Sequence, residues 1–253
     1  LGQLARKGKD CTATLTKLSV DPEAEVRAQA ARIYGDAAYK PSLSLIALLA
    51  DSSPRVRSLT GIAIGMLGPH YLRLDPAPIV KMIAENNGVD AFISHAGAMA
   101  LTATPHEKLG EFAKHSSKAV RLAAVVACRM VSEPSVSAFL ADSDFDVVAE
   151  AARAIHDDQS IADALPALAA VLDRTGLLDE GTLRRAISAN LRVGQPENAQ
   201  RLVAYAQRLD APTAMRAEAL DSLALWPTGE PVDRVQGAYR NLKPHDVAPE
   251  IGR

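Results

Sequence analysis

Residues that commonly carry catalytic or cofactor chemistry are scarce in this chain. The two cysteines, Cys11 and Cys128, lie far apart with no partner at metal or redox spacing, which leaves neither a thiol metal site nor a redox pair. No C-x-x-C-H occurs, so there is no place for a covalent haem. Aromatic residues make up 4% of the chain, with one tryptophan, too few to build a stacking surface for displaced bases. Neither sign of charge dominates. The net charge is -2 and the pI about 6.3, which argues against a protein that neutralises phosphates, and so against nucleic acid. No apolar run reaches bilayer length, which argues against direct membrane insertion. A nucleophile elbow, a phosphate loop and a dinucleotide fingerprint are all missing. His106-Glu107 opens like a zinc-protease helix, but its fifth position is Gly110. His95, His115 and His156 fall on neighbouring helical segments and could in principle converge. Without a second ligand type, such histidines read as surface or half-buried side chains. We expect no catalytic residue, no cofactor and no metal. There is no signal peptide and residue 1 is Leu, so the chain reads as a processed product or an excised piece of something longer.

What is abundant is alanine and leucine, within a hydrophobic fraction of 48%, a composition that suits closely packed helices. They recur in a phrase: an acidic residue, an aliphatic five positions later, often an arginine, then alanines. It appears at Asp21…Val26-Arg27-Ala28, Asp51…Val56-Arg57-Ser58, Asp142…Val147-Val148-Ala149 and Asp210…Met215-Arg216-Ala217. A helical unit repeating at roughly 30 residues means an α-solenoid, because each helix pair buries its apolar face only against the next. Helices bearing the phrase are expected near 22–38, 54–67, 90–103, 117–131, 144–157, 180–193 and 212–226. Leucine-rich partners are expected near 42–50, 76–86, 105–114, 134–141, 161–173 and 196–209, after an N-terminal helix near 3–18. Pro41, Pro54, Pro105, Pro134, Pro196 and Pro212 fall at helix starts, where a missing N–H costs nothing. Val56, Leu59, Ile62 and Ala63 line one helix face. Cys128, inside an apolar stretch, reads as a buried small hydrophobe.

The phrase resembles the HEAT repeat, a helix–turn–helix unit with a Val-Arg pair and alanines on its second helix. The match is good at Val26-Arg27, Val56-Arg57, Val120-Arg121 and Met215-Arg216, and looser at Val147-Val148, at Leu183-Arg184-Arg185 and around His95. The resemblance implies a right-handed superhelix of about seven helix pairs, covering 1–226. The arginines Arg27, Arg57, Arg121, Arg184 and Arg216 recur at one repeat position. They read either as an intramolecular ladder with the turn acids or as an anion-binding stripe, the ladder being favoured. His156-Asp157-Asp158 could bind a cation but reads as solvated carboxylates at a helix end.

After Trp226 the alanine period stops, and 227–253 is expected to be an extended or irregular cap with one short helix around 232–240. Trp226 serves either to hold that tail down, which is favoured, or as an interface anchor. The run Ala224-Leu-Trp226-Pro227, with Asp233-Arg234-Val235, Gly237 and Tyr239-Arg240, resembles large multidomain membrane-bound dehydrogenases of planctomycetes and verrucomicrobia. In those a sugar-dehydrogenase-type propeller, a HEAT region and often a c-type cytochrome follow one another. The resemblance implies a spacer or docking module between catalytic propeller and electron acceptor, outside the cytoplasm, and no catalytic residue of that family carries over. The expected function is a non-catalytic protein-interaction scaffold with Arg121, Arg184, Arg185, Trp226 and Tyr239 as candidate surface, binding flanking modules or another subunit. A HEAT-like bilin lyase, a HEAT-like DNA glycosylase and a cytosolic adaptor are the alternatives.

Overall fold

The computed structural model describes residues 1–39, 42–71, 75–157, 161–174 and 178–246. Pro41, Asp158 and the last tail residues, 247–253, lie outside these. The protein is all-α apart from a two-stranded sheet among the described residues. The helices are α1 (Gly2–Arg6), α2 (Thr12–Leu18), α3 (Ala24–Asp36), α4 (Leu43–Ala47), α5 (Pro54–Tyr71), α6 (Ala77–Asn86), α7 (Ala91–Leu101), α8 (Lys118–Val131), α9 (Phe145–His156), α10 (Leu165–Ala169), α11 (Glu180–Val193), α12 (Pro196–Gln207) and α13 (Thr213–Ala224). Three sequence expectations shift. The helix near 3–18 breaks into α1 and α2 at Gly8, whose φ is 72°. The segments 106–114 and 134–141 wind as 3₁₀ helices. In the tail, the short helix expected at 232–240 is instead an antiparallel hairpin of β1 (Glu230–Val232) and β2 (Tyr239–Leu242).

The recurring acid has a local task at three of the four phrases. Its carboxylate accepts the N–H two residues on, from Glu23 at Asp21 (2.9 Å), from Ser53 at Asp51 (2.8 Å) and from Asp144 at Asp142 (2.8 Å), an Asx turn that sets the helix entry. At the fourth, Asp210 precedes Pro212, which has no N–H, and pairs with Arg208 instead. Asp90, Asp144 and Asp179 then cap α7, α9 and α11 with their side chains. His115 takes the acid's place before α8, its Nδ1 lying 3.1 Å from the Ser117 N–H.

The chain forms two compact units, residues 1–135 and 136–253. In unit 1, α5 packs between α3 and α7, and α7 against α6 and α8. The closest approaches are at glycine: a Cβ on Gly61 would lie 2.7 Å from the Ala96 carbonyl oxygen, and one on Gly65 2.5 Å from that of Met99. In unit 2, α11 is central and packs on α9, α10, α12 and α13. Its buried Asn190 donates to the Ala169 and Ala186 carbonyls and accepts from Asn198, so a fully buried amide is satisfied where α10, α11 and α12 meet.

Candidate functional site

The arginines of the repeat phrase are spent inside the protein. Arg27, Arg57 and Arg121 each donate to the carbonyls six and five residues back: Asp21 and Pro22, Asp51 and Ser52, His115 and Ser116. This explains the spacing from acid to arginine, since the guanidinium closes the turn that the acid opens. Arg27 adds a bidentate pair to Asp51 at 2.6 and 2.9 Å, which links one repeat to the next. That pair holds the Asp51 carboxyl below its ordinary range. Arg184 pairs with Glu180 and Glu218, Arg185 with Asp157, and Arg216 donates to the Ala206 carbonyl. The recurring arginines are thus bonded internally, as the ladder reading expected, but largely through backbone carbonyls, with Arg27–Asp51 as a pairing to a turn acid.

Unit 1 carries an open apolar face. Leu59 and Ile62 of α5, with Pro54, Arg55, Ser58, Asp90 and Phe92, line a cleft of about 420 Å³. Phe92 is 79% exposed and Met66, one turn beyond Ile62, 53%. Sequence periodicity placed Leu59 and Ile62 in the core with Val56 and Ala63. Only Val56 and Ala63 are buried there, because α5 is apolar around more of its circumference than one packed stripe requires.

Unit 2 is built around a buried polar cluster. His156, at the end of α9, has no exposed surface. Its Nδ1 lies 3.0 Å from Asp157 Oδ1, and its Nε2 2.9 Å from Ser188 Oγ and 3.3 Å from Asp233 Oδ2. Arg185 grips Asp157 at 2.9 and 2.8 Å. Asp233, at the hairpin turn, accepts the Val235 and Gln236 N–H groups at 2.9 Å on its other oxygen. Arg240 lies 3.4 Å from the Asp233 carboxylate, and Arg192 and Arg240 both donate to the His156 carbonyl. Burial alone raises the carboxyls of Asp157 and Asp233. Arg185 and His156 at the first, and His156 and the turn N–H groups at the second, outweigh it, and both sit below their ordinary range. Burial draws the Arg192 guanidinium down to about 10.

Two sequence expectations are corrected here. His156 is not a surface or half-buried histidine, and Asp157 is not a solvated carboxylate. Both enter a network completed by Asp233, some 77 positions on, which no local pattern announces.

Ser188, His156 and Asp157 stand in the order of nucleophile, base and orienting acid. The chemistry does not follow. His156 and the Asp233 side chain are wholly buried, so a substrate has no approach to Nε2. Among the described residues no cluster of histidine, cysteine or acidic side chains could hold a metal. The Cys128 thiol, pushed up to about 12 by burial, is no nucleophile.

Of the candidate surface residues, Arg121, Arg184 and Arg185 hold internal partners, and Trp226 is 1% exposed. The tail crosses Trp226. Its Nε1 donates to the Asp246 carbonyl at 3.0 Å, its carbonyl accepts the His245 N–H, and its ring stacks at a tilt on His245. Tyr239, 74% exposed, is the member of that pair presented to solvent.

No protein-family model and no curated relative matches the sequence. Two crystal structures of engineered proteins align with it. One is 17% identical over 85% of this chain and 68% of its own, with a TM-score of 0.40. The other is 17% identical over 85% of this chain and 96% of its own, with a TM-score of 0.36.

Proposed function

We propose that the chain is a HEAT-like α-solenoid of about seven helix pairs that works as a non-catalytic protein-interaction scaffold. The observation that supports this most is the contrast between its faces. The groups with reactive chemistry are consumed in internal pairs, whereas Leu59, Ile62 and Phe92 line an open apolar cleft, with Met66 exposed one turn beyond it. Contiguous apolar surface of that kind marks contact with another protein. The C-terminal resemblance supplies a candidate setting: the HEAT region of a larger exported dehydrogenase-like redox protein, whose flanking modules or another subunit would be the partner. Membrane insertion is not part of the reading, since no described helix is long and apolar enough to cross a bilayer.

The test is a pull-down of the purified chain with the modules encoded on either side of it, alongside Phe92→Asp and Met66→Asp. Binding lost in both variants, with helical content unchanged, supports the reading. Binding indifferent to both removes the cleft from it. A stoichiometric metal, a Soret band or a bound bilin in the purified chain would replace the scaffold with an enzyme or carrier.

A further inference from the structure

Asn-Gly occurs once in the chain, at Asn87-Gly88, in the link between α6 and α7. Both residues are exposed and both lie in the left-handed region, Asn87 at φ 45° and Gly88 at φ 78°. Among the described residues, neither the Asn87 side chain nor the Gly88 N–H has a hydrogen-bond partner. The space around Gly88 is open, with no atom within 4 Å of where a Cβ would stand. A side-chain amide and the N–H that follows it are thus both unspent, and glycine puts no Cβ in the way of their approach.

The residue before the pair holds the link in a clasp. Asn86 Nδ2 donates to the Asp90 carbonyl at 3.0 Å and to Ser94 Oγ at 2.9 Å, and its Oδ1 accepts the Asp90 N–H at 3.0 Å. The Asn86 carbonyl accepts the Val89 N–H at 2.9 Å. With the clasp closed, ψ of Asn87 is 36°, which turns the Gly88 nitrogen to the far side of the Cα–C bond from the Asn87 side chain. The two groups meet only when the link rotates, and that rotation opens the clasp.

We propose that Asn87-Gly88 is a self-modifying deamidation site, timed by opening of the Asn86–Asp90 clasp, whose isoaspartate product keeps the clasp open. The Gly88 nitrogen bonds to Asn87 Cγ, the Cγ–Nδ2 bond breaks, and Nδ2 leaves as ammonia with the proton that Gly88 gives up. Water then opens the cyclic imide. Addition at Cγ leaves aspartate. Addition at the backbone carbonyl of residue 87 leaves isoaspartate, with the chain running through Cβ and Cγ. Either product puts a carboxylate at the C-terminal end of α6, between Glu85 and Asp90 in sequence, where the helix dipole opposes it. Isoaspartate also lengthens the link, so Asn86 and Asp90 no longer stand in register. Asp90 caps α7 through the Phe92 and Ile93 N–H groups, and the change passes into the start of that helix.

The test incubates the full chain in mildly alkaline buffer and separates asparagine, aspartate and isoaspartate at 87 by peptide mapping. Asn87 should convert steadily. Asn241, also exposed and at φ 48° but followed by Leu242, should stay intact. Asn86→Ala removes the clasp and keeps the Asn-Gly pair, and conversion in it should be at least about fivefold faster. In wild-type chain carrying isoaspartate, the Val89 and Asp90 amides should exchange with solvent faster than in fresh chain, and those of α11 at the same rate. Asn87 left intact while a synthetic peptide of residues 82–92 converts would overturn the proposal. So would conversion at the wild-type rate in Asn86→Ala, or unchanged exchange at Val89 and Asp90 after conversion. Should Asn86→Ala fail to fold, urea below the unfolding range replaces it. Conversion must then quicken before the helical signal falls, and a rate flat in urea overturns the proposal. Asp90 and Phe92 line the unit 1 cleft, but none of these readouts involves a partner, so the two readings fail separately.

Discussion

Gly61 and Gly65 set the helix spacing of unit 1. Each faces a carbonyl of α7 at a distance that no Cβ tolerates, and the obstacle is backbone, which cannot rotate aside. Gly61→Ala should therefore destabilise the protein by about 1–3 kcal/mol despite alanine's better helix propensity, read as a lower urea midpoint. Ala30→Leu, at a position 1% exposed against a neighbouring helix, should cost a similar ~1–3 kcal/mol. Unchanged melting would mean that face is open. Asp51→Asn removes the charge that binds Arg27 while keeping the Asx-turn oxygen. It should cost about 1.5–3 kcal/mol at pH 7. Alanine periodicity in the sequence points to close helix packing, but the contact falls on two glycines. A glycine within a helix reads from sequence as a weakness, and only the facing carbonyl shows what it is for.

At the scale of elements, α9, α11 and the tail hairpin behave as one electrostatic assembly. The carboxyls of Asp157 and Asp233 are both held below their unfolded values. Depressed acids contribute stability that is fully present above the unfolded carboxylate range, about pH 4, and is lost as pH falls below it towards the folded values. The urea midpoint of the wild type should thus be flat in this contribution from neutral pH to about 5 and fall steeply below about 4. Asp157→Asn should start lower and fall less, and an equal acid slope in both would remove the pair from the account. Trp226 is the apolar counterpart of this assembly. Trp226→Ala opens a cavity between α13 and the tail and should cost about 3–5 kcal/mol, with exchange rising first at 243–246. The seven phrase-bearing helices lie where the 3.6-residue period and the acid caps placed them, each within a few residues of its expected ends. The hairpin was not legible. Its strands are three and four residues long, too short for a period of two to show, and the histidine that Asp233 meets lies 77 positions away.

For the whole molecule, the predominantly helical architecture and the scarcity of reactive side chains followed from sequence alone. They depend on local physics: helix periodicity, turn chemistry and the counting of residue types act over a few positions and leave their mark in the order of the chain. The roles of the charged and apolar side chains followed from tertiary structure alone. Arg27 reaches Asp51 across 24 positions, Arg185 reaches Asp157 across 28, and Ser188 reaches Asp233 across 45. Leu59 and Ile62 have the same spacing as core residues and differ from them in being only half-buried, beside the open cleft. Whether a side chain is buried, paired or open depends on which neighbour stacking brings to it, and a helical period records which face of a helix is apolar without recording what comes to cover it.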